Sequence, residues 1–127
     1  MGLLRINLKR KNQATRSEIR RARPIRNPAI RFEQADDGSV MLFVPVTQRG
    51  FLGRTIGKMV PEDKQVELEP IGAFVWKLCD GKRTVQGITE ALQREFKITR
   101  VEAEASLLAF LDTLMKRRYV ALEVPKK

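Results

Sequence analysis

Cys79 is the only thiol in the chain, and there is no histidine. A zinc site built from cysteine and histidine is therefore excluded, as is a disulfide within the chain. Nucleophilic catalysis also loses its usual base, because a serine, threonine or cysteine nucleophile needs a neighbouring group that takes its proton near neutrality. Cys79 falls on the apolar face of a helix bracketed by Pro70 and Gly81, where a free cysteine packs as a small hydrophobe. No pair of carboxylates stands in a recognisable cleft. Gly50, Gly53 and Gly57 lack the GxxxxGK[ST] spacing and the strand-to-helix setting that cradle a phosphate. The residues call for no cofactor, and they argue for binding rather than catalysis.

Charge is the next chemistry on offer. The formal net charge is +10, from 25 basic and 15 acidic residues. Up to Ala35, ten Lys and Arg face only Glu18 and Glu33, so that segment alone carries +8 of the total. A polycationic arm attracts nucleic acid, an anionic membrane surface or an acidic protein, and charge alone does not choose among them. No apolar run approaches the roughly 20 residues that span a bilayer, so no transmembrane segment is expected. The opening residues Met1 to Ile6 are too short an apolar stretch for a secretory signal and lack the Ser or Thr of a myristoylation motif. The reducing cytoplasm is the simplest compartment for a chain with one thiol.

These groups need elements to position them. A chain of 127 residues holds one domain and a tail. The expected division is a basic, flexible arm over 1–22 and a domain over 23–124, with a loop insertion at 47–63 that reads as mobile. Within the arm, 15–23 has the makings of a short helix capped at Thr15 or Ser17, with too little apolar content to fold alone. Residues 29–33 alternate, Asp36-Asp37-Gly38-Ser39 is turn chemistry, and 40–44 is β-prone, which together make a hairpin. Residues 64–68 alternate as a strand with one buried face.

Pro70, with no amide hydrogen, suits the first position of a helix, and Gly81 suits its close. Between them Ile71, Phe74, Val75, Leu78 and Cys79 repeat at helical spacing, with Trp76 to one side. Thr84 then caps a second helix over 84–96, with Val85, Ile88, Leu92 and Phe96 inward. Thr99 and Glu102 form a capping box that opens a third, long helix through about Arg117. An alternating segment over 119–124 closes the domain. The outline is α+β: a winged helix-turn-helix, with a three-stranded antiparallel sheet followed by three helices.

On a wheel of about 100° per residue, Phe110, Leu107, Leu114, Leu111, Met115 and Leu108 cover a contiguous arc of roughly half the third helix. So wide an arc suits a helix buried on two sides, or one that also lines a groove. The exposed early positions offer Arg100, Glu102, Ala103, Glu104 and Ser106. Glutamates there would meet phosphates, which disfavours this helix as a DNA reader. A nucleic-acid-binding winged-helix protein that uses its basic arm is the alternative reading.

The run from Val66 to Val85, with its Glu-Pro-Ile-Gly-Ala-Phe-Val-Trp-Lys-Leu-Cys-Asp-Gly-Lys-Arg-Thr-Val core, resembles the PqqD family. Ile88, Leu92, Phe96 and the Phe110-Leu111 helix continue the likeness, and Arg23 to Pro28 resembles the family's opening strand, so that it covers roughly 23–122. The resemblance implies a non-enzymatic peptide chaperone, a recognition element for ribosomally made precursor peptides. It implies a leader peptide and a modifying enzyme, often a radical S-adenosylmethionine enzyme, as partners. In the family the leader adds beside the third strand and lies against the third helix. Carried over, the site is Gln65, Val66, Glu67 and Leu68 on the strand, with Leu107, Leu108, Leu111 and Met115 on the helix. An edge strand and an over-wide apolar helix face suit that use on physical grounds. The same edge could pair with a second copy, which leaves a homodimer open.

Overall fold

The computed structural model describes residues 15–45 and 64–125. Residues 1–14 of the arm and the 47–63 insertion lie outside the described residues. The elements run α1 (Arg16–Arg21), β1 (Arg23–Arg26), β2 (Arg31–Gln34), β3 (Val40–Val44), β4 (Lys64–Leu68), α2 (Pro70–Leu78), α3 (Val85–Phe96), α4 (Arg100–Lys116) and β5 (Val120–Glu123). The fold is mixed α+β and winged-helix-like, with an antiparallel sheet ordered β2-β3-β4 and a separate antiparallel pair, β1-β5.

The hairpin forms because its turn satisfies itself. Gly38 takes a positive φ of 92°, and both the amide and hydroxyl of Ser39 donate to Asp37 Oδ1, at 3.0 and 2.7 Å. Those bonds hold the exposed Asp37 carboxyl below its usual range. Val40 and Leu42 point inward and are fully buried, while Met41 and Phe43 point outward and are half-buried.

Capping sets the helix starts. Thr84 Oγ1 accepts from the Gly87 amide at 3.0 Å, and Thr99 with Glu102 forms the reciprocal box that the sequence spells. The α3 face of Val85, Ile88 and Leu92 is fully buried against Leu107 and Leu111 of α4, within one core.

Helix α2 starts at Pro70 as expected, but it ends at Leu78 rather than at Gly81. The cause is a neighbour. The Arg26 amide donates to the Cys79 carbonyl at 3.0 Å, and the Gly81 amide donates to the Pro24 carbonyl at 2.8 Å, so 79–81 peels off to pair with β1. Gly81 is left-handed at φ 81°, and a Cβ there would stand 3.1 Å from Ile25 Cδ1. The buried face of α2 is also rotated from expectation. Trp76 is fully buried, whereas Ile71 is 46 % exposed. The ring of Phe32, from the hairpin, meets Trp76 edge-on at 5.9 Å and covers that side.

Residues 15–22, which composition groups with the arm, are docked on the domain. Thr15 and Glu18 form a capping box. Ala22 is fully buried, Ile19 packs on the core, and the Ala22 carbonyl accepts from the Val85 amide at 2.8 Å. Arg20 Nε lies 3.2 Å from Glu104 Oε2, joining α1 to α4.

Candidate functional site

Strand β4 is extended because Gln65 to Leu68 alternate, and the structure pairs it with β3 in the register Met41↔Glu67, Leu42↔Val66 and Phe43↔Gln65. Gln65 and Glu67 are exposed on the outward face, Val66 is half-buried and Leu68 is buried. The strand order places β4 at one end of its sheet. Among the described residues nothing pairs with its second edge, so amide and carbonyl groups along it face outward.

The chain then turns into α2 through Glu69, whose carbonyl accepts from the Ala73 amide at 2.7 Å. This brings Ile71 and Gly72 next to the end of β4. A Cβ on Gly72 would stand 3.0 Å from Cε1 and Cζ of Phe110 and 3.8 Å from Leu68 Cβ. Leu68, Gly72 and Phe110 therefore meet at one point, where β4, α2 and α4 converge. Ile71, exposed beside them, gives this junction an apolar lip.

The α4 residues marked by the sequence divide into two groups. Leu107 and Leu111 are fully buried and form the floor beneath the junction. Leu108 and Met115 are half-buried on the core's margin. Leu108 lies one turn after Glu104, on the stripe that faces α1, and two residues of about 100° each carry Phe110 to the other flank. The structure thus gathers Gln65 to Leu68 with Phe110, Ile71 and Gly72, and sets Leu108 and Met115 apart. Ile71 and Phe110 extend the candidate site beyond the residues that the resemblance carries over, although Phe110 already stands in the apolar arc of this helix by sequence. Gly72 was the available signal, since a glycine inside a helix costs propensity and marks a close approach.

The groups with chemical potential elsewhere are engaged in structure. Burial pushes the Cys79 thiol up to about 12, which keeps it protonated and inert. Asp80 accepts from the Lys82 amide at 2.9 Å, the Arg83 amide at 3.2 Å and the Arg83 guanidinium at 2.6 Å. The Lys82 amide first, and Arg83 with it, holds its carboxyl below the usual range. Arg26 Nη1 donates to the Trp76 and Lys77 carbonyls, each at 3.0 Å, so a cation closes the C-terminus of α2. A cavity of about 360 Å³ lies between β1 and Ile30 and Phe32, with Arg26 and Asp80 in its wall already bonded as described. No helix among the described residues is long and apolar enough to cross a membrane.

Residues 58–120 match the family model described as Coenzyme PQQ synthesis protein D (PqqD). That span runs from before β4 through the first residue of β5 and contains the whole β4–α2–α4 junction. No curated protein and no solved structure matched the chain.

Proposed function

Residues 58–120 belong to the PqqD family, and on that premise we propose that this chain holds the leader of a ribosomally synthesised precursor peptide and presents it to a modifying enzyme. The family is one of accessory proteins in the biosynthesis of peptide-derived products, which gives the chain a peptide-binding role in such a pathway. The reading works in the cytoplasm, with a modifying enzyme of the radical S-adenosylmethionine class as the second partner.

The observation that carries the proposal is the edge of β4, unpaired among the described residues, beside an apolar lip. A leader segment adds there as a fourth strand, and main-chain hydrogen bonds supply the affinity. Its inward side chains rest on Val66 and Leu68 and reach Ile71 and Phe110, which supply selectivity. Leu107 and Leu111 act from below by holding α4 in place. Leu108 and Met115, also peptide-binding candidates by sequence, stand on the flank toward α1.

Isothermal titration with the precursor peptide encoded beside this chain tests the proposal. Saturable binding to the folded wild type is expected, and its absence overturns the reading. Salt separates it from nucleic-acid binding. A protein that makes about 6–10 phosphate contacts loses roughly 10³- to 10⁵-fold in affinity between about 50 and 200 mM salt, whereas strand addition on apolar pockets changes little. The exposed carboxylate of Glu102 at the start of α4 would meet phosphates, which favours the peptide.

A further inference from the structure

The chain is strongly basic, yet its three-stranded sheet runs the other way. Across β2, β3, β4, the turn between β2 and β3, and Glu69, the charged residues are Arg31 and Lys64 against Glu33, Asp36, Asp37, Glu67 and Glu69. The acids are also ordered. Glu33 pairs with Met41 and Met41 with Glu67, so one outward row crosses the sheet as Glu33, Met41, Glu67. It ends in a carboxylate at the edge of β4 that no described strand pairs with. Among the described residues no ion pair or hydrogen bond engages the Glu67 side chain.

A strand added beside β4 lies about 4.8 Å away and sends alternate side chains to opposite faces. One of its side chains therefore continues the row and stands directly beside Glu67. The residues before and after that one turn inward, toward Val66, Leu68 and the Ile71–Phe110 lip. Opposite charges in directly facing cross-strand positions attract, and like charges repel.

We propose that the leader strand received by β4 is of a defined chemical class: a Lys or Arg beside Glu67, with an apolar residue on each side of it. This rests on the reading of β4 as the leader-binding edge. Glu67 selects the charge, and Val66, Leu68, Ile71 and Phe110 select its apolar neighbours. The arrangement reads the same whether the leader runs parallel or antiparallel to β4, because the triplet is symmetric about its cation.

The test is selection from a phage-displayed library of random 12-residue peptides on the immobilised full chain, as wild type and as Glu67→Gln and Glu67→Lys. Glu67 is exposed, and retention of the wild-type thermal transition verifies that each variant is folded. The wild type is expected to enrich an apolar–Lys/Arg–apolar triplet, Glu67→Gln to lose the charge preference, and Glu67→Lys to prefer Asp or Glu at the same place. Changing the central Lys of a selected peptide to Glu is expected to weaken its binding to the wild type by about twofold to fivefold and to strengthen its binding to Glu67→Lys. Enrichment of alternating apolar peptides with no charge preference, or with one that Glu67→Lys leaves unchanged, overturns the charge assignment and leaves strand addition standing. Failure of the wild type to enrich any alternating peptide overturns the β4 reading itself.

Discussion

The ring of Phe110 comes within 3.0 Å of the point where a Cβ on Gly72 would stand. This approach joins α4 to α2 beside the last residue of β4, and it makes a glycine in a helix the hinge of the proposed site. An alanine at Gly72 gains up to about 1 kcal/mol of helix propensity while it pushes the half-buried ring outward by a few tenths of an ångström. Gly72→Ala is therefore expected to stay within about 1 kcal/mol of wild-type stability in a denaturant titration and to bind leader peptide several-fold more weakly in isothermal titration. Unchanged affinity would remove Phe110 from the lip.

Floor and lip should separate energetically. Leu111 and Leu107 are fully buried, so truncating either to alanine is expected to cost about 2–5 kcal/mol of unfolding free energy. Ile71 is 46 % exposed, and Ile71→Ser is expected to cost under about 1 kcal/mol while it weakens peptide binding. Urea unfolding and titration calorimetry on the same pair of variants measure both effects. Equal destabilisation by the two would erase the distinction.

The extent of the domain at its N-terminus is decided by truncation. Deleting residues 1–14 is expected to keep the cooperative thermal transition. Deleting residues 1–22 also removes the buried Ala22, the contact of Ile19 and the acceptor for the Val85 amide. That larger deletion is expected to cost about 1–3 kcal/mol more. Identical melting of the two truncated chains would show that α1 contributes nothing to the domain.

Cys79 gives a pH prediction. Burial raises its folded pKa to about 12 from an ordinary value of 9.0. Above pH 9 the unfolded thiol releases its proton while the folded one keeps it, so the unfolded state binds fewer protons and stability falls as pH rises. The contribution is complete below about pH 9 and is lost toward pH 12. The wild type should therefore lose stability faster across that window than Cys79→Ala, and its thiol should react with a disulfide reagent at pH 8 only after denaturant is added. Rapid modification of the native protein would contradict the burial.

Capping and periodicity carried much of this protein. Thr84, Thr99 with Glu102, and Pro70 announce their helices because a cap is satisfied within about three residues of chain, and such bonds are written in the local sequence. The hairpin turn at Asp37 to Ser39 is legible for the same reason. The candidate site was legible in part: the alternation of Gln65 to Leu68 marks a strand with one buried face, and the arc on α4 includes the floor residues Leu107 and Leu111.

What periodicity does not contain is which flank of an apolar face a neighbour covers. On α2, Ile71 and Trp76 border one stripe, and Phe32, far away in the chain, buries Trp76 and leaves Ile71 at the surface. On α4, Leu108 and Phe110 belong to one arc, and contacts to different partners turn them to opposite flanks. The end of α2 moved to Leu78 because β1 offered 79–81 better-placed hydrogen bonds than another helical turn. By itself the sequence determined most element types, the helix starts and the resemblance that the family match over 58–120 bears out. Tertiary structure alone decided the flank on which the binding lip stands, because burial is shared between segments distant in the chain and helical spacing reports only on neighbours within a turn or two.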